Sequence, residues 1–428
     1  MLKKLMHNKV AANISWILIG RIIYMILNFV VGLLSARYLG PSNYGLIGYA
    51  AAYTTFFSSV CSLGINSIIV KEIIDNPNSE GTIIGTSIVM KIVASFLSLF
   101  TIIGLSIILD QNEPLTRIVV LIYNISLILQ VFDTFKYWFQ SRLQSKYTEI
   151  AVTIAYVIMA IYKIILLMSG KNVKWFALAN SVECLIVAVV LFILYKKKGG
   201  QKLNFSWNDG KRIIKNSYHF IISGVMVALY TSTDKFMLKQ MIGENEVAYY
   251  STATVVSSLS SFVILAMIES LTPVIMKAYK KDYNLYKKRN RQLYAVVFYI
   301  SIFTSIVITI FARDIIKILY SDKYISTIAP LRILTWYSAF SYLGGSRNSW
   351  IVCEKKQKYL KYIYFFCVFS NVLLNYLFIP RLGSAGASLA SLITQFASVM
   401  IFPLLIKELR PNVKLIIDAI LLRNVRNN

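Results

Sequence analysis

The sequence predicts an all-α polytopic membrane protein with about twelve transmembrane helices in two six-helix lobes. Apolar runs of about 20 residues, the length that crosses about 30 Å of hydrocarbon as a helix, recur along the 428-residue chain. Hydrophobic residues make up 57% of the chain and charged residues 15%. A motif near the N-terminus also returns near the middle. Because backbone groups in lipid must be hydrogen-bonded within the protein, we predict that the apolar runs are helices.

The returning motif is an apolar helix, a short turn that contains glycine, and a second apolar run. In the first copy the turn is Gly-Pro-Ser-Asn at residues 40–43, and in the second copy it lies around Gly243. A second repeated motif follows, in which Trp138 corresponds to Trp350. Six spans, an even number, precede the second copy, so both copies enter the membrane in the same direction. The sequence therefore predicts a parallel repeat, which is typical of transporters with a site between two lobes.

The apolar runs also predict the boundaries of spans and segments. The twelve spans are 13–36, 45–70, 83–109, 115–135, 151–168, 175–195, 214–238, 247–273, 293–311, 328–350, 359–379 and 385–405. The segments are a cytoplasmic amphipathic N-terminus (1–12), an N-terminal six-helix lobe (13–195), a cytoplasmic linker (196–213), a C-terminal six-helix lobe (214–405) and a cytoplasmic basic tail (406–428). Within the tail, residues 413–422 are too few to span and are expected to lie on the membrane surface.

The distribution of Lys and Arg predicts the orientation of the chain. The two longest loops, 196–213 and 274–292, are rich in both residues, whereas the loops on the other side of the membrane carry few. Cytoplasmic loops of membrane proteins hold an excess of Lys and Arg. We therefore predict that both termini and both long loops are cytoplasmic.

Several classes of function lack their sequence signals. Basic loops explain the net charge of +26. Nucleic-acid binding is not indicated, because no soluble stretch is long enough to form a nucleic-acid-binding domain. The two histidines are isolated and no Cys-x-x-Cys pair occurs, so we predict neither a metal site nor a cofactor. There is also no phosphate-binding loop of the G-x-x-x-x-G-K-[ST] type. Together with the short outer loops, these observations indicate that the protein is not an enzyme.

Charged residues within the predicted spans mark the candidate site. A charge at the bilayer centre costs about 2.5–3.5 kcal/mol on insertion scales, so it faces a partner or a water-filled cavity. The acidic residues are Asp133, Glu183, Asp234 and Glu269. The basic residues are Arg21, Lys91, Lys163, Lys235, Arg332 and Arg347. The excess of positive charge suits a cavity that receives an anion.

Two polar stripes relate these charges to the repeat. Arg21, Tyr24 and Asn28 share one face of the first helix, and Thr231 and Asp234 share a face of the seventh. Because Asn28 aligns with Thr231 in the repeat, we expect the two helices to face each other across a central cavity.

This cavity is predicted to bind its substrate through cationic side chains. The candidate substrate-binding residues are Arg21, Lys91, Lys163, Lys235 and Arg332. A second set either lines the cavity or forms structural pairs: Tyr24, Asn28, Thr231, Asp234 and Glu183. A purely structural role also stays open for each cation, and it is the favoured interpretation for Arg347, Asp133 and Glu269.

Four stretches of the chain resemble bacterial polysaccharide exporters. They are GRIIYMILNFVVGLLSARYLGPSNYGLIGYA, TDKFMLKQMIGENEVAYYSTA, SDKYISTIAPLRIL and IPRLGSAGASLASLITQF. In their order and spacing they resemble the oligosaccharide-unit (O-antigen and capsular polysaccharide, Wzx-type) flippases of the multidrug/oligosaccharidyl-lipid/polysaccharide exporter superfamily. Lys91 and Asp234 match positions where such proteins often carry a base and an aspartate.

The resemblance implies a V-shaped exporter fold around a cationic cavity, in the bacterial cytoplasmic (inner) membrane. It implies that the protein flips undecaprenyl-pyrophosphate-linked oligosaccharide repeat units from the cytoplasmic to the outer leaflet for O-antigen or capsule synthesis. The implied partners are this lipid-linked oligosaccharide and the bilayer, with polysaccharide polymerase and chain-length proteins as further candidates and no nucleic acid. Coupling to H⁺ or Na⁺ stays open.

Three alternatives also stay open. A drug/cation antiporter of the same superfamily tends to carry an acidic residue in its first helix, where this chain has Arg21. A membrane glycosyltransferase or polysaccharide polymerase is disfavoured by the short outer loops. Lipid II flippases resemble fourteen-helix proteins, whereas twelve spans are predicted here.

Overall fold

The computed structural model describes the backbone of residues 9–423 and, within it, all side chains except those of residues 9–19, Arg21, Ser67, His219 and Ser223. Residues 1–8 of the predicted N-terminal segment, the last five residues of the predicted tail and the side chain of Arg21 therefore lie outside the described part. Between residues 9 and 423 the secondary structure is helical, without strands. This confirms the prediction of an all-α protein.

The chain divides into two compact units, Met1–Ser232 and Thr233–Asn428. The unit boundary falls inside helix α9 (Trp207–Met241). The other described α-helices of the first unit are α1 (Lys9–Cys61), α2 (Asn66–Asp75), α3 (Glu80–Leu109), α4 (Pro114–Asn124), α5 (Ser126–Leu129), α6 (Thr134–Ser141), α7 (Ser145–Met168) and α8 (Val173–Lys197). The predicted extents of the two lobes, 13–195 and 214–405, stay a prediction.

The second unit continues from α9 with eight further α-helices in its described part. They are α10 (Glu244–Ser257), α11 (Ser261–Lys281), α12 (Tyr283–Tyr320), α13 (Ile328–Ser346), α14 (Asn348–Cys353), α15 (Leu360–Phe396), α16 (Phe402–Leu405) and α17 (Arg410–Ile420). Short 3-10 helices join neighbouring elements of the chain at Pro77–Ser79, Gln130–Asp133, Ser258–Ser260, Asp322–Thr327, Gln357–Tyr359 and Lys407–Leu409, and a π-helix at Ala397–Ile401 joins α15 to α16.

Eight helical segments of the described chain are long and apolar enough to cross a membrane. They overlap ten of the twelve predicted spans, because two of the segments, Ile22–Cys61 and Gln357–Leu405, each cover two. The remaining two predicted spans fall on α9 and α13. The protein is therefore a multi-pass membrane protein.

The two copies of the glycine turn have the same kind of backbone. Gly40 interrupts α1 with φ 69° and ψ 174°, and Gly243 precedes α10 with φ 141° and ψ 178°. This combination of a positive φ with an extended ψ is essentially restricted to glycine, because a Cβ atom would be strained there. The repeated glycine seen in the sequence thus corresponds to a repeated break between two helices.

The tryptophan motif is repeated in the structure as well. Trp138 on α6 and Trp350 on α14 are both buried. Two residues beyond the end of each short helix lies a residue with positive φ, Leu143 at 54° and Lys355 at 53°. Equivalent backbone hydrogen bonds close the two turns: Gln144 N to Phe139 O at 2.8 Å and Lys356 N to Ile351 O at 2.9 Å. The offset between these two turns is 212 residues, which is slightly larger than the offset between Gly40 and Gly243.

Predicted span 45–70 is not one helix. The chain leaves α1 at Cys61 and turns through Leu63 and Gly64, whose φ angles are 50° and 58°. A Cβ atom on Gly64 would lie 2.6 Å from the backbone N of Ile221 on α9. This interruption of the helix lets α9 approach the turn closely. A hydropathy average over a window of residues does not detect such an interruption.

The predicted linker 196–213 is largely fixed to the first unit. Its segment between α8 and α9 crosses the start of α3, where the Gly81 backbone N donates to Gln201 Oε1 at 3.1 Å. The Ser206 backbone N donates to Thr86 Oγ1 at 2.9 Å. A Cβ atom on Gly81 would collide with the Lys202 carbonyl. The segment 198–206, which we call the strap, is thus an ordered part of the first unit.

The apolar stretch of the C-terminal tail packs against protein. Helix α17 buries Val413, Ile416 and Ala419, and it contacts α12. There the Tyr299 hydroxyl donates to the Ile420 carbonyl at 2.8 Å, and Asn412 Nδ2 donates to the Tyr294 hydroxyl at 2.8 Å. The expectation that residues 413–422 lie on the membrane surface stays a prediction.

Candidate functional site

Asp234 on α9 is a buried carboxylate, with 2% of its surface exposed. Its Oδ1 accepts hydrogen bonds from Asn371 Nδ2 at 3.1 Å and Asn375 Nδ2 at 2.7 Å. Its Oδ2 accepts from Ser391 Oγ at 2.5 Å and from the Tyr250 hydroxyl. These five residues, which we call the Asp234 site, all belong to the second unit. Four donors compensate the cost of removing a carboxylate from water.

A reversal of α15 assembles this site. Asn371 Nδ2 lies 3.4 Å from Ser391 Oγ, although twenty residues of straight helix would separate them by about 30 Å. The chain therefore doubles back between them, at Gly383, where the backbone leaves the helical region with φ 57° and ψ −134°. The Glu246 carboxylate fixes the reversal by accepting from the Ser384 backbone N at 2.6 Å. Asn371 and Asn375, one helical turn apart, thereby face Ser391.

The Asp234 site has the chemistry of a site for a proton or a small hard cation. Carboxylate, amide and hydroxyl oxygens are the ligands that such cations prefer. Two further oxygens on α15, Asn375 Oδ1 and Thr394 Oγ1, are buried without a hydrogen-bond partner. Among the described residues, no three His, Cys, Asp or Glu side chains converge.

Lys91 on α3 lies in a polar cavity of about 280 Å³ within the first unit. Only 4% of the residue is exposed. Its Nζ donates to Asn66 Oδ1 at 2.9 Å and to Thr134 Oγ1 at 3.2 Å, and it lies 5.4 Å from the centre of the Tyr137 ring. The other polar residues that line this cavity, which we call the Lys91 cavity, are Ser58, Ser59, Ser62, Gln130 and Asp133.

The charge of Lys91 is partly balanced by Asp133. Asp133 acts on Lys91 electrostatically and also forms an ion pair with Lys136, with Oδ1 and Nζ 2.8 Å apart. The local net charge of these three residues is therefore positive by one. Lys91 thus lies at membrane depth beside a polar cavity of about 280 Å³, and its predicted binding role stays a prediction.

Several other predicted residues of the first unit lie together. Tyr156 hydrogen-bonds to Glu183 and packs against Tyr24, with ring centres 4.1 Å apart. Lys163 acts electrostatically on Glu183. Asn28, Lys163 and Glu183 line one space of only about 10 Å³. This cluster is filled by its own side chains, which favours the interpretation of Lys163 and Glu183 as a structural pair.

The Lys163 cluster and the Asp234 site occupy corresponding places in the repeat. At the offset of 212 residues that aligns the tryptophan turns, Lys163 corresponds to Asn375. At the offset of the glycine turns, Val31 corresponds to Asp234. One half thus has a lysine where the other has an asparagine, and a buried valine where the other has a carboxylate.

The structure does not bring Thr231 and Arg332 into the Asp234 site. Thr231 is exposed, and its hydroxyl donates to the Val227 carbonyl of its own helix at 3.0 Å. Arg332 is also exposed, and its Nε donates to the Thr309 carbonyl at 3.3 Å. Lys235 is half-buried and points away from the Asp234 carboxylate, because adjacent helical residues diverge by about 100°. Their predicted roles, like that of Arg21, stay predictions.

Of the five residues in the Asp234 site, only Asp234 is charged. Tyr250, Asn371, Asn375 and Ser391 are neutral, and a search for charged residues in the spans passes over them. A usable signal was present, since Asn371 and Asn375 are four residues apart in an otherwise apolar run. Arg347, for which a structural role was favoured, is buried and donates to the Ser398 carbonyl at 3.0 Å.

Known proteins share this fold. The chain superposes on a structure of the lipid II flippase MurJ in its inward closed conformation with a TM-score of 0.74 and 14% identity, over 94% of this chain and 89% of MurJ. It superposes on an inward-facing multidrug resistance MATE family transporter of the MOP superfamily with a TM-score of 0.67 and 16% identity, over 94% of each chain. These similarities confirm the predicted exporter fold.

Sequence comparison agrees with the fold. The capsular polysaccharide biosynthesis protein CapF of Staphylococcus aureus is 22% identical over 91% of this chain and 97% of its own length. The profile of the MatE family matches residues 220–377. The profile of the family described as polysaccharide biosynthesis protein matches residues 10–279, well over half of the chain. The chain therefore belongs to the polysaccharide biosynthesis protein family, as its resemblance to the polysaccharide exporters indicated.

Proposed function

We propose that the chain is a flippase that moves undecaprenyl-pyrophosphate-linked oligosaccharide repeat units from the cytoplasmic to the outer leaflet, for capsule or O-antigen synthesis. The name of the CapF relative supports a role in a capsular or related polysaccharide. The fold shared with a lipid II flippase supports a lipid-linked saccharide as the transported molecule. The relatives by fold are transporters and flippases, which argues against the alternative of a glycosyltransferase or polymerase.

The observation that carries this proposal is the Lys91 cavity. A lysine that is 96% buried at membrane depth is energetically costly, and this cost marks Lys91 as a candidate functional residue. Its cavity is polar, carries a net positive charge and is large enough to admit part of a ligand. The saccharide part of a lipid-linked oligosaccharide is polar and rich in hydroxyls, so it matches a polar cavity of this kind, whereas a cationic drug would meet the net positive charge of Lys91 and its neighbours. From charge alone we propose that Arg21, Lys235 and Arg332 lie along the same headgroup path. Lys163 is the exception, because its cluster with Glu183 is filled.

Our second proposal is that the Asp234 site couples transport to a cation gradient. It rests on the buried carboxylate and on the two unpartnered oxygens of Asn375 and Thr394. If Na⁺ or H⁺ binds there, it neutralises Asp234 and weakens the hydrogen bonds that hold α9 to α15. The site would then link cation binding to the packing of these two helices.

The proposed setting follows from the proposed substrate. The protein lies in the bacterial inner membrane with both termini and the loops 196–213 and 274–292 in the cytoplasm, where lipid-linked repeat units are made. Polysaccharide polymerase and chain-length proteins, which use the flipped product, are the candidate protein partners.

A deletion strain with lipid analysis tests the function. We expect deletion of the gene to reduce surface polysaccharide and to build up lipid-linked oligosaccharide that spheroplasts protect from an added impermeant glycosidase. The wild-type gene should restore the surface polymer, and Lys91→Gln should not, although the variant reaches the membrane in normal amount. Lys323→Gln, at an exposed lysine outside the candidate site, is the matched control and should complement fully.

Two results would contradict the proposal. Accumulated oligosaccharide that is fully exposed to the glycosidase would place the defect after flipping, as expected for a polymerase. Unchanged surface polymer together with increased sensitivity to cationic drugs would identify the drug/cation antiporter instead.

A further inference from the structure

The Lys91 cavity presents both hydrogen-bond acceptors and hydrogen-bond donors. The hydroxyls of Ser58 and Ser62 already donate to carbonyls of their own helix, at 3.1 Å and 2.9 Å. Only their oxygen lone pairs are therefore left for a ligand. The Asp133 carboxylate is an acceptor as well. A ligand for this cavity must bring hydroxyl or amide donors of its own.

The ammonium group of Lys91 is largely occupied. Two of the three N–H groups of Lys91 are used by Asn66 and Thr134. A diphosphate offers only acceptors and would also face the Asp133 carboxylate, so the cavity satisfies it poorly. A sugar ring carries several hydroxyls, each of which both donates and accepts, and it complements this mixture of groups.

The size and the walls of the cavity fit one sugar ring. Its volume of about 280 Å³ is just below the range of ligand pockets, which begins at about 300 Å³. An oligosaccharide therefore cannot enter whole. Tyr137 contributes a half-buried aromatic ring to the wall, and Lys91 and Gln130 add polar groups to the same wall.

We infer that the Lys91 cavity is a saccharide subsite that holds one sugar ring of the transported headgroup, while the diphosphate is bound elsewhere. The inference rests on the proposed function, because it takes the lipid-linked oligosaccharide as substrate. It assigns Asp133 and the serines of α1 to sugar hydroxyls. It also gives Lys91 a role in recognising a sugar, in contrast to pairing with phosphate.

Saturation-transfer NMR on the full chain in phosphatidylglycerol-containing nanodiscs tests this inference. The probes are the methyl glycosides of glucose, galactose, N-acetylglucosamine and N-acetylgalactosamine, together with glucuronic acid, and inorganic pyrophosphate is the competitor. We expect at least one sugar to receive saturation from the wild-type protein, and an equal concentration of pyrophosphate to leave that signal unchanged.

Three variants locate the signal. Ser59→Phe fills the cavity and should abolish the signal. Asp133→Asn removes an acceptor charge with little change of shape and should weaken binding at least tenfold, which keeps the test decisive if Ser59→Phe fails to fold. Thr101→Phe, the same kind of enlargement at an exposed position of α3, should bind like the wild type.

The possible failures are distinguishable. Displacement of the sugar by pyrophosphate, or the absence of any signal that depends on Asp133, would overturn the saccharide subsite. A wild-type protein that binds a sugar through these residues but fails to flip lipid-linked oligosaccharide in proteoliposomes would retain the subsite and reject the proposed function. Flipping without any sugar-dependent signal would retain the proposed function and reject the saccharide subsite.

Discussion

Asn375 Nδ2 lies 2.7 Å from Asp234 Oδ1, a hydrogen bond that joins α15 to α9 across 141 positions of the sequence. Asn371, one turn earlier on α15, donates to the same oxygen. Because both bonds are made to a buried carboxylate, the charge of Asp234 controls how firmly the two helices are held together. The predictions below begin with this contact.

Asp234→Asn should abolish the cation dependence of transport. The substitution removes the charge that we propose to bind Na⁺ or H⁺ but preserves the volume of the side chain. We expect flipping in proteoliposomes to fall to the level of protein-free vesicles under either gradient. Asp314→Asn, at an exposed aspartate of α12, is the control and should transport normally. Gradient-dependent flipping by Asp234→Asn would contradict the coupling role.

Arg21→Gln should sharply reduce surface polysaccharide at a near-normal level of protein in the membrane. Our sequence-based hypothesis is that Arg21 meets the anionic headgroup near the cytoplasmic side. Arg21→Lys should retain more activity than Arg21→Gln if charge dominates, and no more if the two parallel hydrogen bonds of a guanidinium dominate. Unchanged polymer in Arg21→Gln would instead assign Arg21 a purely structural role.

The orientation of the chain can be measured by cysteine accessibility. In a variant without its four native cysteines, single cysteines at the exposed positions Asn208 and Asn284 should resist an impermeant thiol reagent added to intact spheroplasts. A cysteine at exposed Gln111, in a predicted outer loop, should react quickly. Permeabilised cells provide the control that all three sites are reactive. The opposite labelling pattern would reverse the orientation and the proposed direction of transport.

The strap predicts opposite effects of two glycine-to-alanine substitutions. Gly81→Ala places a methyl group against the Lys202 carbonyl and should destabilise the protein by about 1–3 kcal/mol, as expected for overpacking. Gly104→Ala, farther along the same helix with no neighbouring atom near its Cβ position, should stabilise it by about 0.5–1 kcal/mol. Thermal unfolding in detergent measures both, and equal melting temperatures would show that the strap is not held tightly.

The sequence was sufficient for the helices and for the repeat because both depend on local patterns. The length of an apolar run predicts a span, and each glycine turn is a short segment between two apolar runs. It was insufficient for the Asp234 site, whose donors Tyr250, Asn375 and Ser391 are neutral and come together only because α15 reverses at Gly383. It also could not separate Lys91, which borders a ligand-sized cavity, from Lys163, which does not. Charge can be read from a sequence, but free volume cannot.

The correspondence of Lys163 with Asn375, and of Val31 with Asp234, makes the two halves of the chain chemically different at these positions. The first half carries a lysine and no acid there, and the second half carries an acid and no lysine. The two halves are therefore not interchangeable. A chimera of two first halves would have two such lysines and no acid at the Asp234 position, and a chimera of two second halves would have two such acids. A single chain that joins one half of each kind carries one lysine and one acid.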